Sequence, residues 1–327
     1  MRAVTATAAP LRQAFSNLAG PACRRSFATS SRLDAGYGFI GLGRMGFPMA
    51  KNLRAKIPES DTMVIHDVNP AVTESFAKEV GNVEIAKNVR EVAEKTNVFH
   101  QILKPPTLAT ESPRRHERLF IDCSTIDPRT SSEVANATHS SQQGKFVDAP
   151  MSGGVVGAAA GTLTFMVGAP ADGIDRVREV LSLMGSRVIH LGPPTSGLKG
   201  KLANNYLLAL NNIATCEAMN MGIKWGLDGQ ALADMINSAT GKCWPSEANN
   251  PVPGVVPNAP AGKDYQGGFG TSLMLKDLGL ALTACAQADI VPRLGPYAKD
   301  IYAAADGAEN CKGRDFSVVY RYLGGKE

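Results

Sequence analysis

The stretch at residues 38–53, GFIGLGRMGFPMAKNL, limits what the chain can fold into more than any other part of it. Gly41, Gly43 and Gly46 stand in G-x-G-x-x-G spacing, directly after the apolar run YGFI and at the head of a helix-like run. In a chain with 33 glycines that spacing alone is a weak signal. Its context is stronger, because 21 residues beyond Gly46 an acid, Asp67, closes the second strand-like run TMVIHD. Strand, glycine turn, helix, strand and terminal acid in that order make a βαβ unit suited to a dinucleotide. The glycines let the backbone approach a pyrophosphate, and the helix start offers it amides and positive dipole. Leu42, Arg44 and Met45 fill the same loop and are expected to line the site. Asp67 is placed to take the adenosine ribose hydroxyls and to repel a 2′-phosphate, so NAD is expected rather than NADP.

The alternation continues. NPAVTESFAKEV reads as a helix with Pro70 in its first turn, and LFIDCST reads as a further strand. Such alternation predicts an α/β fold, a doubly wound, Rossmann-type parallel sheet covered by helices on both faces. After Leu191 the texture changes: GPPTSG is a turn-rich break, and beyond it no β-branched, strand-like runs recur. The expected division is therefore a nucleotide-binding domain at 35–195 and an all-helical domain at 196–327. The 26-residue run KLANNYLLALNNIATCEAMNMGIKWG would make a helix of about 39 Å, starting near Gly200 and buried on most sides.

Residues 1–34 stand apart. Arg2, Arg12, Arg24, Arg25 and Arg32 lie among Ser, Thr and Ala with no acid before Asp34, which is the composition of a mitochondrial transit peptide. RRSFATSSRLDA matches a two-step cleavage pattern that would start the mature chain near Ala35, in the mitochondrial matrix. Without those five arginines the formal charge of +4 becomes about −1, so no basic surface for nucleic acid is expected. The longest apolar runs are broken by Asn and Glu, and no membrane span is expected. The six cysteines are widely spaced, without the pairing a zinc site requires, so no metal is expected.

Two further stretches carry chemistry. In VDAPMSGGVVGAAAGTLTFMVG, Ser152, Gly153 and Gly154 follow a short strand. Consecutive glycines can turn backbone amides towards a carboxylate, with the serine hydroxyl as another donor. Read alone, the stretch is as well explained by a glycine-rich crossover loop. In GLKGKLANN, Lys201 and Asn205 stand four apart and share a helix face, whereas Lys199 points elsewhere. A lysine in the first helical turn sits by the positive dipole end, which lowers its pKa and suits a proton carrier. The pattern by itself also fits a lysine that simply reaches solvent.

With these stretches in order, and with LMLKDLGLA beyond them, the chain from about Tyr37 to Leu323 resembles the β-hydroxyacid dehydrogenase family. The resemblance implies a Rossmann-type domain followed by a helical one, and NAD-dependent oxidation of a small 3-hydroxy acid. It points to 3-hydroxyisobutyrate, an intermediate of valine breakdown, as the substrate. It places the catalytic lysine at Lys201, the substrate-orienting asparagine at Asn205 and the carboxylate-binding trio at Ser152, Gly153 and Gly154. It also puts Thr125 and Lys276 against the cofactor. Separately, the nearly all-round apolar character of the long helix suggests that helical domains pack across subunits, so a homo-oligomer, a dimer or tetramer, is expected.

One region departs from the family pattern. Between the third helix and LFIDCST the family has a strand, a Leu-Pro turn on the nicotinamide side and a helix. Here VFHQILKPPTLATESPRRHERLF is about ten residues short, and Leu103 stands in for that turn. Two alternatives follow: an enzyme for another small 3-hydroxy acid of the tartronate semialdehyde or glyoxylate type, or a member that binds nucleotide without turnover.

Overall fold

The computed structural model describes residues 36–101 and 118–327. Leu103, the presequence region and its cleavage site lie outside the described residues. The first half alternates strand and helix: β1 (Gly36–Ile40), α1 (Gly46–Lys56), β2 (Thr62–His66), α2 (Pro70–Val80), β3 (Glu84–Ile85), α3 (Val89–Lys95) and β4 (Val98–Gln101). It continues with β5 (Leu119–Asp122), α4 (Pro128–Ser140), β6 (Lys145–Asp148), β7 (Met151–Ser152), α5 (Gly154–Ala160), β8 (Leu163–Gly168), α6 (Ile174–Leu181) and β9 (Gly185–Gly192).

Six strands run parallel in the order β3-β2-β1-β4-β5-β6, so the strand order reverses between β1 and β4. Ligands of doubly wound sheets bind beyond the carboxyl ends of the strands at that reversal, and the glycine loop leaves β1 there. β8 joins β6 antiparallel, then carries β7 on one flank and β9 on the other. Of the segment short of the family pattern, the strand forms as β4, paired in register with β5 from Val98–Leu119 to Gln101–Asp122. The positions where the family pattern has its turn and helix fall in 102–117, outside the described residues.

Local signals explain the helix boundaries. Asn69 caps α2 by accepting the Ala71 amide, with Pro70 in the first turn, and Asp127 caps α4 by accepting the Thr130 amide, with Pro128 next. These are the residue types that satisfy orphan amides at helix starts. The start of α1 differs, since no side chain caps it. Phe39, Ile65, Ile121, Phe165, Met49 and Phe76 fill the core between sheet and helices.

The second half is helical: α7 (Ser196–Lys224), α8 (Gly229–Ser238), α9 (Trp244–Glu247), α10 (Thr271–Gln287), α11 (Gly295–Gly307) and α12 (Val319–Tyr322). Ala209, Cys216, Met219, Met274, Leu278, Tyr302 and Val319 make its core. Tyr302 donates its hydroxyl to the Ala209 carbonyl and accepts from Asn212, whose amide NH2 also reaches the Phe316 carbonyl, so this buried polar knot ties α7 to α11 and to the turn before α12. No helix of the described residues is long and apolar enough to cross a membrane.

The long helix corrects one expectation. It is 29 residues and begins at Ser196, a turn ahead of Gly200. One stripe of it, with Leu207 and Met221, lies open to solvent. The early start has a tertiary cause. Asp148, at the end of β6, accepts the amides of Thr195 at 2.6 Å and Leu198 at 2.8 Å, capping α7 from 47 residues away in the chain. Gly197 allows the approach: a Cβ there would lie 2.3 Å from the Met166 carbonyl oxygen and 2.9 Å from the Asp148 carboxylate.

Candidate functional site

Gly41 to Gly46 form the turn from β1 into α1. A Cβ on Gly46 would lie 1.8 Å from the Gly41 carbonyl oxygen, so only glycine lets the helix start this close to the strand it leaves. At Gly43 a Cβ would meet nothing within 4 Å, so the tip of the loop faces open space. The Leu42 amide donates to Oδ2 of Asp67 at 2.6 Å, and the Asn69 amide to Oδ1 at 2.9 Å. Arg44 is exposed beside this cradle and Met45 is half-buried at the helix start. An uncapped helix start, an open glycine tip and a fixed acid at the neighbouring strand end together fit the pyrophosphate and ribose of a dinucleotide.

Ser152 lies in β7, opposite Thr164 of β8. Gly153 and Gly154 follow with φ of 128° and 60°, and both are exposed. Successive residues of this kind turn their amides into a concavity that receives an anion. β8 is the shared scaffold, because the start of α7 lies against its Met166 carbonyl.

Lys201 and Asn205 face inwards from α7, with 8% and 2% of their surface exposed, whereas Lys199 is exposed. Since α7 begins at Ser196, Lys201 is in the second turn, and the first-turn argument for its acidity does not hold. The pKa is lowered all the same, chiefly because burial disfavours the ammonium; Lys276 adds to the effect and Asp277 opposes it. Both come from α10, which packs along α7. The Asn205 amide donates to Oδ2 of Asp277 at 2.6 Å, and the Lys276 amine lies 3.3 Å from Oδ1 of the same carboxylate. That amine also donates to the Thr125 carbonyl at 2.7 Å, which joins α10 to the loop after β5.

The structure thus groups the glycine loop with Asp67, groups Lys201 with Asn205, and joins Thr125 to Lys276. Sequence reading passed over Asp277 and Asp148. Each carried a signal, since Asp277 is the one acid in the apolar run LMLKDLGLA and Asp148 ends a strand before a glycine-rich turn. Among the described residues no group of three or more His, Cys, Asp or Glu could hold a metal ion.

This fold and cradle define a dinucleotide-binding oxidoreductase with a helical second half. Residues 36–192 match the family model described as the NAD binding domain of 6-phosphogluconate dehydrogenase. Residues 195–323 match the one described as NAD-binding of NADP-dependent 3-hydroxyisobutyrate dehydrogenase. The mitochondrial 3-hydroxyisobutyrate dehydrogenase of Mus musculus is 42% identical over 92% of this chain and 89% of its own. The Homo sapiens protein of the same name is 40% identical over the same shares. A solved structure of Mycobacterium tuberculosis 3-hydroxyisobutyrate dehydrogenase with L-serine superimposes with a TM-score of 0.81, at 38% identity, covering 89% of this chain and 99% of that one. The chain belongs to the 3-hydroxyisobutyrate dehydrogenase family.

Proposed function

We propose that this chain oxidises 3-hydroxyisobutyrate to methylmalonate semialdehyde with NAD, as a step of valine breakdown in the mitochondrial matrix. The observation that carries the mechanism is the buried Lys201 amine, of lowered pKa, one helical turn from Asn205. A depressed pKa favours the neutral amine over the ammonium, and neutral is the form a proton acceptor must take. The glycine cradle and Asp67 would hold NAD, which would supply the hydride acceptor for the carbinol carbon. Lys201 takes the hydroxyl proton as that hydride leaves, and the C–O bond becomes the aldehyde carbonyl. Asn205 orients the substrate beside the lysine, while Ser152, Gly153 and Gly154 hold its carboxylate. Thr125 and Lys276 line the nicotinamide side.

Several observations support the finer points. Asp67 is held by two amides at the end of β2, where a 2′-phosphate would meet its charge, which favours NAD over the NADP named for one family model. The relatives from mouse and human are called mitochondrial, in keeping with the arginine-rich start of this chain, which has no acid before Asp34, as a presequence over 1–34. The domain division proposed is 35–195 and 196–327. Leu207, Met221, Trp225 and Tyr297 are exposed on the helical half, which supports a homo-oligomer.

L-serine, present with the mycobacterial relative, is itself a 3-hydroxy acid, so it belongs in the substrate test. Turnover is followed by nicotinamide absorbance with NAD or NADP against 3-hydroxyisobutyrate, L-serine, glycerate and glycolate. The proposal expects 3-hydroxyisobutyrate with NAD to give the highest kcat/KM. A higher value for another acid contradicts the substrate assignment, and cofactor binding without turnover of any acid contradicts the enzymatic one.

A further inference from the structure

Asp277 occupies a position that none of the roles above uses. It is 4% exposed, on the face of α10 that packs against α7. Its two oxygens hold two different groups: Oδ2 accepts from the Asn205 amide at 2.6 Å, and Oδ1 lies 3.3 Å from the Lys276 amine. Lys276 in turn reaches the Thr125 carbonyl on the loop after β5. One carboxylate therefore ties the residue that orients substrate to the loop on the cofactor side. We propose that Asp277 is a positioning residue that fixes Asn205 and Lys276 together and supplies the counter-charge for Lys201.

The proposal deepens the function proposed above and rests on Lys201 being the proton carrier. A carboxylate this deeply buried is costly unless its lone pairs are used, and here an amide and an ammonium use them. The same charge offsets part of the burial that makes the Lys201 ammonium unfavourable, whereas Lys276 acts in the opposite sense. The other charged groups around α7 are engaged elsewhere. Asp148 of β6 is turned to the amides of Thr195 and Leu198, His190 of β9 bonds the Ala169 carbonyl, and Lys199 faces solvent. The charges acting on Lys201 thus come from α10, with opposite signs at adjacent positions.

The sign of the effect follows. Oxidation needs neutral Lys201, so its rate rises with pH through the lysine pKa; reduction of the aldehyde needs the ammonium, so its rate falls through the same pKa. Asp277→Asn keeps an oxygen to accept from Asn205 but removes the charge, so both midpoints should move to lower pH together, by about one unit. Lys276→Gln removes the opposing positive charge and should move both midpoints upwards.

The test is the pH profile of kcat in both directions for the full chain, comparing wild type, Asp277→Asn, Lys276→Gln and Lys201→Met. Joint downward movement of both midpoints in Asp277→Asn, with the rise and the fall still present, supports the proposal. A lower plateau with unmoved midpoints shows a merely structural aspartate and overturns it. Asp277→Ser is the second neutral variant should the Asn form misfold, with the same movement expected. If Lys201→Met keeps the wild-type profile, the proton-carrier reading itself fails and the inference falls with it, an outcome distinct from unmoved midpoints in Asp277→Asn alone.

Discussion

The Leu42 amide and the Asp67 carboxylate meet at 2.6 Å, joining the glycine turn of the first strand to the end of the second. With the Asn69 amide on its other oxygen, the carboxylate is held in place before any ligand arrives. Each oxygen retains a lone pair for a ribose hydroxyl.

Asp67→Ala removes that acceptor and the charge that repels a 2′-phosphate. The KM for NAD should rise about 10- to 100-fold, as expected for a lost charge-assisted hydrogen bond of about 1.5–3 kcal/mol. The preference for NAD over NADP should shrink with it. Steady-state kinetics with both cofactors measures the two effects, and an unchanged ratio counts against the role given to Asp67.

Two glycines of one loop should behave differently. Gly46→Ala drives a Cβ to 1.8 Å from the Gly41 carbonyl, a backbone contact with no flexible side chain to yield, so both NAD affinity and melting temperature should fall. At Gly43 the same methyl meets no protein atom within 4 Å. Gly43→Ala should therefore melt like the wild type and still bind NAD more weakly, because the methyl enters the space the pyrophosphate needs. Equal losses of melting temperature in both variants contradict this placement of the cofactor.

Asp122 gives a pH-dependent prediction. It stands beside Asp148 on the neighbouring strand, 4% exposed, and burial raises its pKa to about 6 from the ordinary 3.8. Between those values the folded chain holds the proton more firmly than the unfolded one, so this group's contribution to stability declines as pH rises through that window. Asp122→Asn can still accept the Ser124 amide, now bound at 3.0 Å, without the buried charge. The variant should be more stable than wild type by roughly 1–3 kcal/mol at about pH 7, and the gain should vanish near pH 4. Thermal melts at the two pH values check this, and a gain that does not change with pH contradicts it.

What could be read from the sequence was what local chemistry dictates. The glycine loop and Asp67 were legible because the turn, the strand end and the spacing all lie within one βαβ unit, where chain geometry leaves few choices. The start of α7 was misplaced because its cap is Asp148, on a strand 47 residues earlier, and no local signal marks a cap supplied by tertiary contact. Thr195, held with a φ of 75°, shows what that contact imposes on a residue that rarely adopts the left-handed region unaided. The depressed pKa of Lys201 was expected for the wrong reason: burial under α10 replaces the helix dipole as its main cause. Asp277 stayed invisible for the same reason as Asp148, since its value depends on α10 lying along α7.

Turnover of 3-hydroxyisobutyrate by Lys201→Ala, with NAD affinity measured on the same preparation, tests the central claim most directly. Loss of the proton carrier should lower kcat by about 10²- to 10⁴-fold while NAD binding and the folded state persist. A purified Lys201→Ala protein that reduces NAD at near the wild-type rate would contradict the account.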